Sequence, residues 1–513
     1  MKNISRAPYF IILLLWLCSV AIRIPQLNRP LSKHHEFVTA HALRVMQIWN
    51  ELGVAHFYFS PAMNYSGAAN KYINNQATEN FDAEGNAYYL SYPPGGLLLP
   101  FFLLGGWIQT PSALALELFN LLLHLIECLL LYNICLLIAA RLNKQELGNR
   151  IGIIAVMVHL FSPCLLWFHG NVYFVDMPAL TLWLWCLWLW MKYNINSVVR
   201  EDTNHDNKKK YRVLLILFLS SFALSYTEYL GVTYAIVIFC SALFNRKNLA
   251  GAVSVVSGSV CALLLMLYQY SLIGGWEKLF SFLQTRYATR SGYAHGNLFA
   301  LVLPEVEAVC ENYLTGFAAW ILLLAIHLIL NRKKIFSRLE VRDFRFATTF
   351  LQFSILLFVP VLLHHILFLN ASAHDFQQMK ASPFISVAIG LGFVALNKNW
   401  MKISFVVALV ANIFLFELIN PPGKTSLTED NYDFYEREAQ VIKQNSKPDE
   451  VIFLKGIPDD AQLIWYGKRN MRTINSDEEA KSFLQKHNMK RGVIFIFDER
   501  QLIRAAQHIE LSE

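Results

Sequence analysis

Charge is scarce in this chain. Of its 513 residues only 16% are Asp, Glu, Lys or Arg, and 55% are hydrophobic, whereas a soluble globular domain carries about a quarter charged residues. That shortage excludes an ordinary water-soluble enzyme. Paired cysteines are missing too: no CxxC occurs, and seven of the eight cysteines (Cys18, Cys128, Cys135, Cys164, Cys186, Cys240 and Cys261) stand inside apolar runs. This removes a disulfide framework and a thiolate zinc site from consideration. No internal repeat is evident, which argues against the repeat-built transporters. The net charge of +7 does not point to nucleic acid, because the basic residues lie in short clusters between apolar runs, as orientation in a membrane requires.

What is present is a series of apolar runs, several of them near the roughly 20 residues that span a bilayer. The first, residues 9–22, follows Lys2 and Arg6 and reads as an uncleaved anchor with the amino terminus inside, in preference to a cleaved signal peptide. Ten more cover 113–140, 151–168, 177–191, 213–227, 229–244, 249–272, 313–330, 346–369, 382–396 and 403–419. Placing the basic clusters inside (Arg141 to Arg150, Lys208 to Arg212, Arg246 and Lys247, Arg332 to Arg338, Lys398 and Lys402) gives eleven crossings, or thirteen if two runs are hairpins. Residues 93–107, with Pro93, Pro94 and Pro100, read as a broken or re-entrant piece. The predicted fold is therefore an α-helical polytopic membrane domain over 1–420, with a small outer α/β domain over 421–513. In the latter, 451–454 and 493–497 read as strands and 435–444 and 478–486 as helices.

The outer loops are then 23–92, 170–176, 273–312 and 370–381, and they hold the chemistry. Glu36 follows His34 and His35 just past the first span, where a carboxylate can act as general base or simply complement a helix dipole. Asp82 and Glu84 are second-choice acids ahead of Ser91-Tyr92-Pro93-Pro94. Asp176 heads an apolar helix with Pro178 in its first turn, and Glu228 sits at another outer turn. Arg286 and Arg290, with interleaved tyrosines, suit a phosphate clamp or a lipid-headgroup anchor. His374, Asp375 and Lys380 add polar groups at the same face. A divalent metal would need ligands beyond the adjacent His34 and His35. Within the spans, Glu117, His124, Glu127, His159, His364 and His365 are the ionisable candidates a transporter or flippase would use.

The order Glu36, then Ser91-Tyr92-Pro93-Pro94, then Asn171 to Asp176-Met177-Pro178 resembles the multi-spanning C-type glycosyltransferases, in particular the protein O-mannosyltransferase and aminoarabinose transferase branch. Where that family often carries Asp or Asp-Glu, this chain has His35-Glu36. The resemblance implies transfer of a sugar from a polyprenyl-phosphate donor to a lipid, glycan or protein acceptor at the outer face, in a bacterial inner membrane. Glu36 would be the base and Asp176 its assistant. Arg286, Arg290 and Lys380 would hold the donor phosphate, with His35, Asp82, Glu84, Glu228, His374 and Asp375 around the acceptor. An oligosaccharide polymerase or ligase would share the topology and the lipid-linked donor.

Overall fold

The computed structural model describes residues 6–32, 34–74, 81–141, 145–199, 207–244, 246–293, 297–314, 344–395, 399–419 and 433–511. The expected run 313–330 lies almost wholly outside them, as does the Pro421-Pro422-Gly423 break. The apolar runs become helices: α1 (Ala7–Arg23), α2 (Glu36–Leu52), α3 (Gly95–Leu103), α4 (Ala113–Arg141), α5 (Gln145–Phe161), α6 (Pro163–Asn171), α7 (Asp176–Val199), α8 (Asn207–Thr227), α9 (Leu230–Phe244), α10 (Leu249–Ser291), α11 (Leu298–Val309), α12 (Phe344–Leu367), α13 (Ser382–Ala395) and α14 (Asn399–Ile419). Among the described residues, three helices (α1 continued to Gln26, α4 and α10) are long and apolar enough to cross a membrane. The pair Leu147–Phe161 and Pro163–Asn171 makes a fourth if counted as one span.

Two sequence expectations are corrected here. The run 151–168 is not one straight span: it bends by 63° between α5 and α6, where Pro163 cannot donate a helical hydrogen bond. The stretch 273–312 is not mainly loop. Helix α10 continues to Ser291, 43 residues in all, with non-helical backbone at Gly275 (φ 84°). At 1.5 Å per residue that is about 64 Å, twice a bilayer core of about 30 Å. The portion after Gly275 is thus a separate segment, and it carries Arg286 and Arg290. Helix α3 has only nine residues with Pro100 inside, about 14 Å of rise, too short to cross.

The helices pack closely where small residues allow it. A Cβ at Gly258 of α10 would lie 2.3 Å from the Phe218 carbonyl oxygen of α8, so the glycine sets that helix separation, as small residues do in membrane bundles. The buried mid-span polar residues pair with one another. Glu127 accepts from Thr181 (2.6 Å) and contacts His159 (3.2 Å) and His169 (3.1 Å), and His159 reaches Ser382 (2.8 Å). One carboxylate thereby ties α4, α5, α6, α7 and α13 together.

After residue 433 come α15 (Phe434–Gln444), β1 (Val451–Lys455), α16 (Ala461–Gly467), β2 (Met471–Thr473), α17 (Asp477–Lys486), β3 (Arg491–Phe497) and β4 (Ile503–Glu510). The sheet order is β2-β1-β3-β4, parallel except for β4. Strands β1 and β3 are the two apolar runs the sequence marked. Strand β2, at three residues, and the largely exposed β4 carry no such run. This domain sits on the first long loop. Buried Asn470 donates to Met63 O (3.1 Å), accepts from Tyr65 N (2.9 Å) and gives its own N–H to Asn70 (2.8 Å). The Tyr466 hydroxyl accepts from Leu31 N (2.8 Å) and Lys468 reaches Gln47 (2.7 Å). Asn470→Ala leaves the Met63 carbonyl its bond from Arg44 but strands the Tyr65 N–H in a dry contact, at about 1–3 kcal/mol for the group left unsatisfied. It should lower the thermal midpoint and expose the loop to limited proteolysis, whereas an exposed control such as Arg504→Ala should not.

Candidate functional site

The site assembles at the end of the bundle that carries the first long loop, where Asn28 N donates to Glu117 at the start of α4 (2.9 Å). Its centre is Lys380, wholly buried, with its ammonium 2.9 Å from Asp176 and 3.3 Å from Glu228, and a further hydrogen bond to Gln377. Asp176 opens α7, Glu228 fills the turn between α8 and α9, and Lys380 precedes α13. Glu228 also accepts from Leu230 N (2.6 Å) and meets His364 Nε2 of α12 at 2.8 Å. His364, which the sequence offered only as a mid-span candidate, is therefore part of this cluster.

Next to it lies a cationic wall. Arg286 Nε donates to Ser91 Oγ (2.8 Å) and Arg290 Nη1 to the Ser91 carbonyl (3.0 Å). The Arg290 guanidinium covers the Tyr92 ring at 3.9 Å, a cation–π contact. Residues 286 and 290 are one helical turn apart, so both face the Ser91-Tyr92 segment. That segment is fixed from behind, since Tyr92 O accepts from Tyr270 (2.5 Å) and the Tyr92 hydroxyl accepts from Gln377 (3.2 Å). Gly95 lets α3 begin against α8: a Cβ there would lie 2.4 Å from the Tyr226 carbonyl oxygen. The two arginines and Ser91 line a groove of about 260 Å³ whose other walls are apolar, among them Leu263, Met266, Leu267 and Phe368. A larger cavity of about 400 Å³ borders Arg141. It runs along α9 and α12 as far as Leu363, the neighbour of His364, and no acidic group lines it.

A third group lies beside the first two. His34 Nε2 is 2.6 Å from Asp375 Oδ2, and the His35 ring is 3.9 Å from His34, 5.6 Å from His374 and 5.1 Å from Phe376, centroid to centroid. Burial, then the neighbouring His34, pushes the His35 imidazole down to about 3, so it is neutral at physiological pH. Burial would raise the Asp375 carboxyl, but the hydrogen bond and charge of His34 outweigh it and hold the group below its usual range. Two sets among the described residues could hold a metal ion: His34, His35 and Asp375 here, and His124, Cys128 and His159 within the bundle.

The remaining candidates stand apart. Glu36, the expected base, is buried and gripped by Arg29 through both oxygens, one bond measuring 2.9 Å, while Ser32 N donates to Oε2 (2.7 Å). Arg29, which sequence reasoning left unassigned, is the partner that takes up this acid. Asp82 organises a turn, accepting from Glu84 N, Asn86 N and the Tyr88 hydroxyl (2.9, 2.9 and 2.7 Å). Glu84 is exposed, 3.5 Å from His56.

No protein-family profile and no curated protein matches the chain. Solved structures do. ArnT from Cupriavidus metallidurans, crystallised with undecaprenyl phosphate, aligns at TM-score 0.53 with 11% identity over 96% of this chain and 93% of that one. Its apo form aligns at 0.55, with 12% identity over 96% and 94%. The Archaeoglobus fulgidus oligosaccharyltransferase, tethered to an acceptor peptide, aligns at 0.52 with 10% identity over 96% and 69%. The chain has the C-type glycosyltransferase fold. It is accordingly a polytopic integral membrane protein, with a small C-terminal sheet beside its helices, as the sequence predicted.

If Glu36 serves the loop rather than the chemistry, its loss and that of Arg29 should not be additive. Arg29→Met should cost about 3–5 kcal/mol by leaving a buried carboxylate unpaired, and Glu36→Leu added to it should recover much of that. Thermal unfolding of the two single variants and the double variant checks this; simple additivity would contradict the pairing.

Proposed function

We propose that this protein transfers a sugar from a polyprenyl-phosphate carrier to an acceptor at the outer face of the membrane. One observation carries the reading: two arginines stand at the mouth of an apolar groove, one wall away from a buried acid–lysine–acid cluster. A polyprenyl phosphate has the same division, an apolar tail and an anionic head. The fold neighbours support it, since ArnT was solved with undecaprenyl phosphate and the archaeal oligosaccharyltransferase with dolichol phosphate.

Arg286 and Arg290 would bind the phosphate, where negative charge grows as the anomeric C–O bond breaks. The acceptor hydroxyl or amine would form the new bond to the anomeric carbon and give up its proton to a carboxylate. Both Glu36 oxygens already have donors, so Asp176 is the better placed acid, with Lys380 fixing its position. Glu36 would hold the loop in shape. Asp176 is fully buried, so substrate binding must open the packing around it. The basic clusters, placed inside, put this site and the C-terminal domain outside, where no nucleotide sugar is available.

Purified protein reconstituted with a panel of polyprenyl-phosphate sugars tests the reading. Asp176→Asn should lower kcat by about 10²–10⁴-fold with little change in donor binding. Arg286→Ala and Arg290→Ala should each weaken donor binding by about 1.5–3 kcal/mol, the worth of a hydrogen bond to a charged group. Transfer unchanged in Asp176→Asn and reduced only in Glu36→Gln would return the base role to Glu36. Transfer unchanged in both would remove the site from this face.

A further inference from the structure

We propose that His34, His35 and Asp375 form a binding site for zinc or a similar borderline transition-metal ion, which clips the first long loop to the segment that leads into Lys380. The three ligand atoms lie within 4.8 Å of one another. Ligands around a tetrahedral zinc stand about 3.4 Å apart at bond lengths of about 2.0–2.1 Å, so a small inward shift of side chains closes the set. Two imidazoles and one carboxylate favour zinc, copper or nickel over magnesium or calcium. Three protein ligands leave one position open.

The frame is already built. His35 adopts a left-handed backbone (φ 59°), a strained conformation for a non-glycine residue, and its Nδ1 is buried with no hydrogen-bond partner among the described residues. The Trp167 indole holds the His34 carbonyl (3.1 Å), and the Cys164 thiol meets the Asp375 carbonyl (3.4 Å). The His34 side chain is 53% exposed, which gives an ion a way in. At present His34 and Asp375 share a 2.6 Å hydrogen bond; on binding, the metal replaces its proton.

The inner set does not compete. Arg23 lies 3.0 Å from His124 Nδ1. A guanidinium can only donate, so this nitrogen must accept, and the proton then sits on Nε2, leaving neither nitrogen free for a metal. The clip stands on its own ligands and does not depend on the transferase reading.

Full-length protein in detergent, stripped with chelator and titrated with Zn²⁺, should take up one ion per chain. His34→Ala and Asp375→Asn should each lower the affinity by roughly tenfold or more, and His124→Ala should leave it unchanged. Co²⁺ substitution of the unmodified protein should give a visible ligand-field spectrum without a thiolate charge-transfer band, which keeps the test valid if a variant misfolds. Absence of saturable uptake, uptake abolished only by His124→Ala, or a sulfur band would overturn the site. None of these readouts uses sugar transfer, so a failed transfer assay with zinc bound would fault the transferase reading alone.

Discussion

A lysine ammonium held out of water between two carboxylates organises this molecule. Removing such ions from solvent costs several kcal/mol each, recovered only if the partners meet in good geometry. Asp176, Glu228 and Lys380 are therefore bound to converge, although more than 200 residues separate the first from the last. Their convergence fixes the start of α7, the α8–α9 turn and the entry to α13, and Gln377 carries that constraint on to the Tyr92 hydroxyl. Tyr92 in turn lies under Arg290. The cationic groove is thus seated on the buried ion cluster, and a change at Lys380 would be felt at both arginines.

The loop end is held in a similar way by smaller pairings. Glu117 fixes Asn28, Arg29 fixes Glu36, and the C-terminal domain closes on the loop through Asn470 and Tyr466. Each satisfies a buried polar group that would otherwise cost about 1–3 kcal/mol. The C-terminal domain consequently has a physical role: it buries one side of the first long loop.

Much of the site was legible in the chain, though its internal relations were not. Asp176, Glu228, Arg286, Arg290 and Lys380 could be singled out because an ionisable group beside an apolar run is expensive and seldom placed without a reason. Glu36 looked equally attractive, but nothing local showed that Arg29, seven residues earlier, would occupy both its oxygens. His364 looked like a mid-span residue because the stretch of α12 around the His364-His365 pair is otherwise apolar. The arginines were expected on a loop, since the kink at Gly275 gives no sign that helix resumes beyond it.

The sequence by itself determined that the chain lives in a membrane, roughly where most of its apolar helices lie, and which residues could carry chemistry. These follow from composition and spacing, which are local properties of the chain. Only the tertiary structure decided that Arg29 takes up Glu36 while Lys380 lies between Asp176 and Glu228, that two arginines share one serine at an apolar groove, and that His34, His35 and Asp375 meet. Pairing of buried charges is settled by distances between segments far apart in the chain, and no local pattern encodes them.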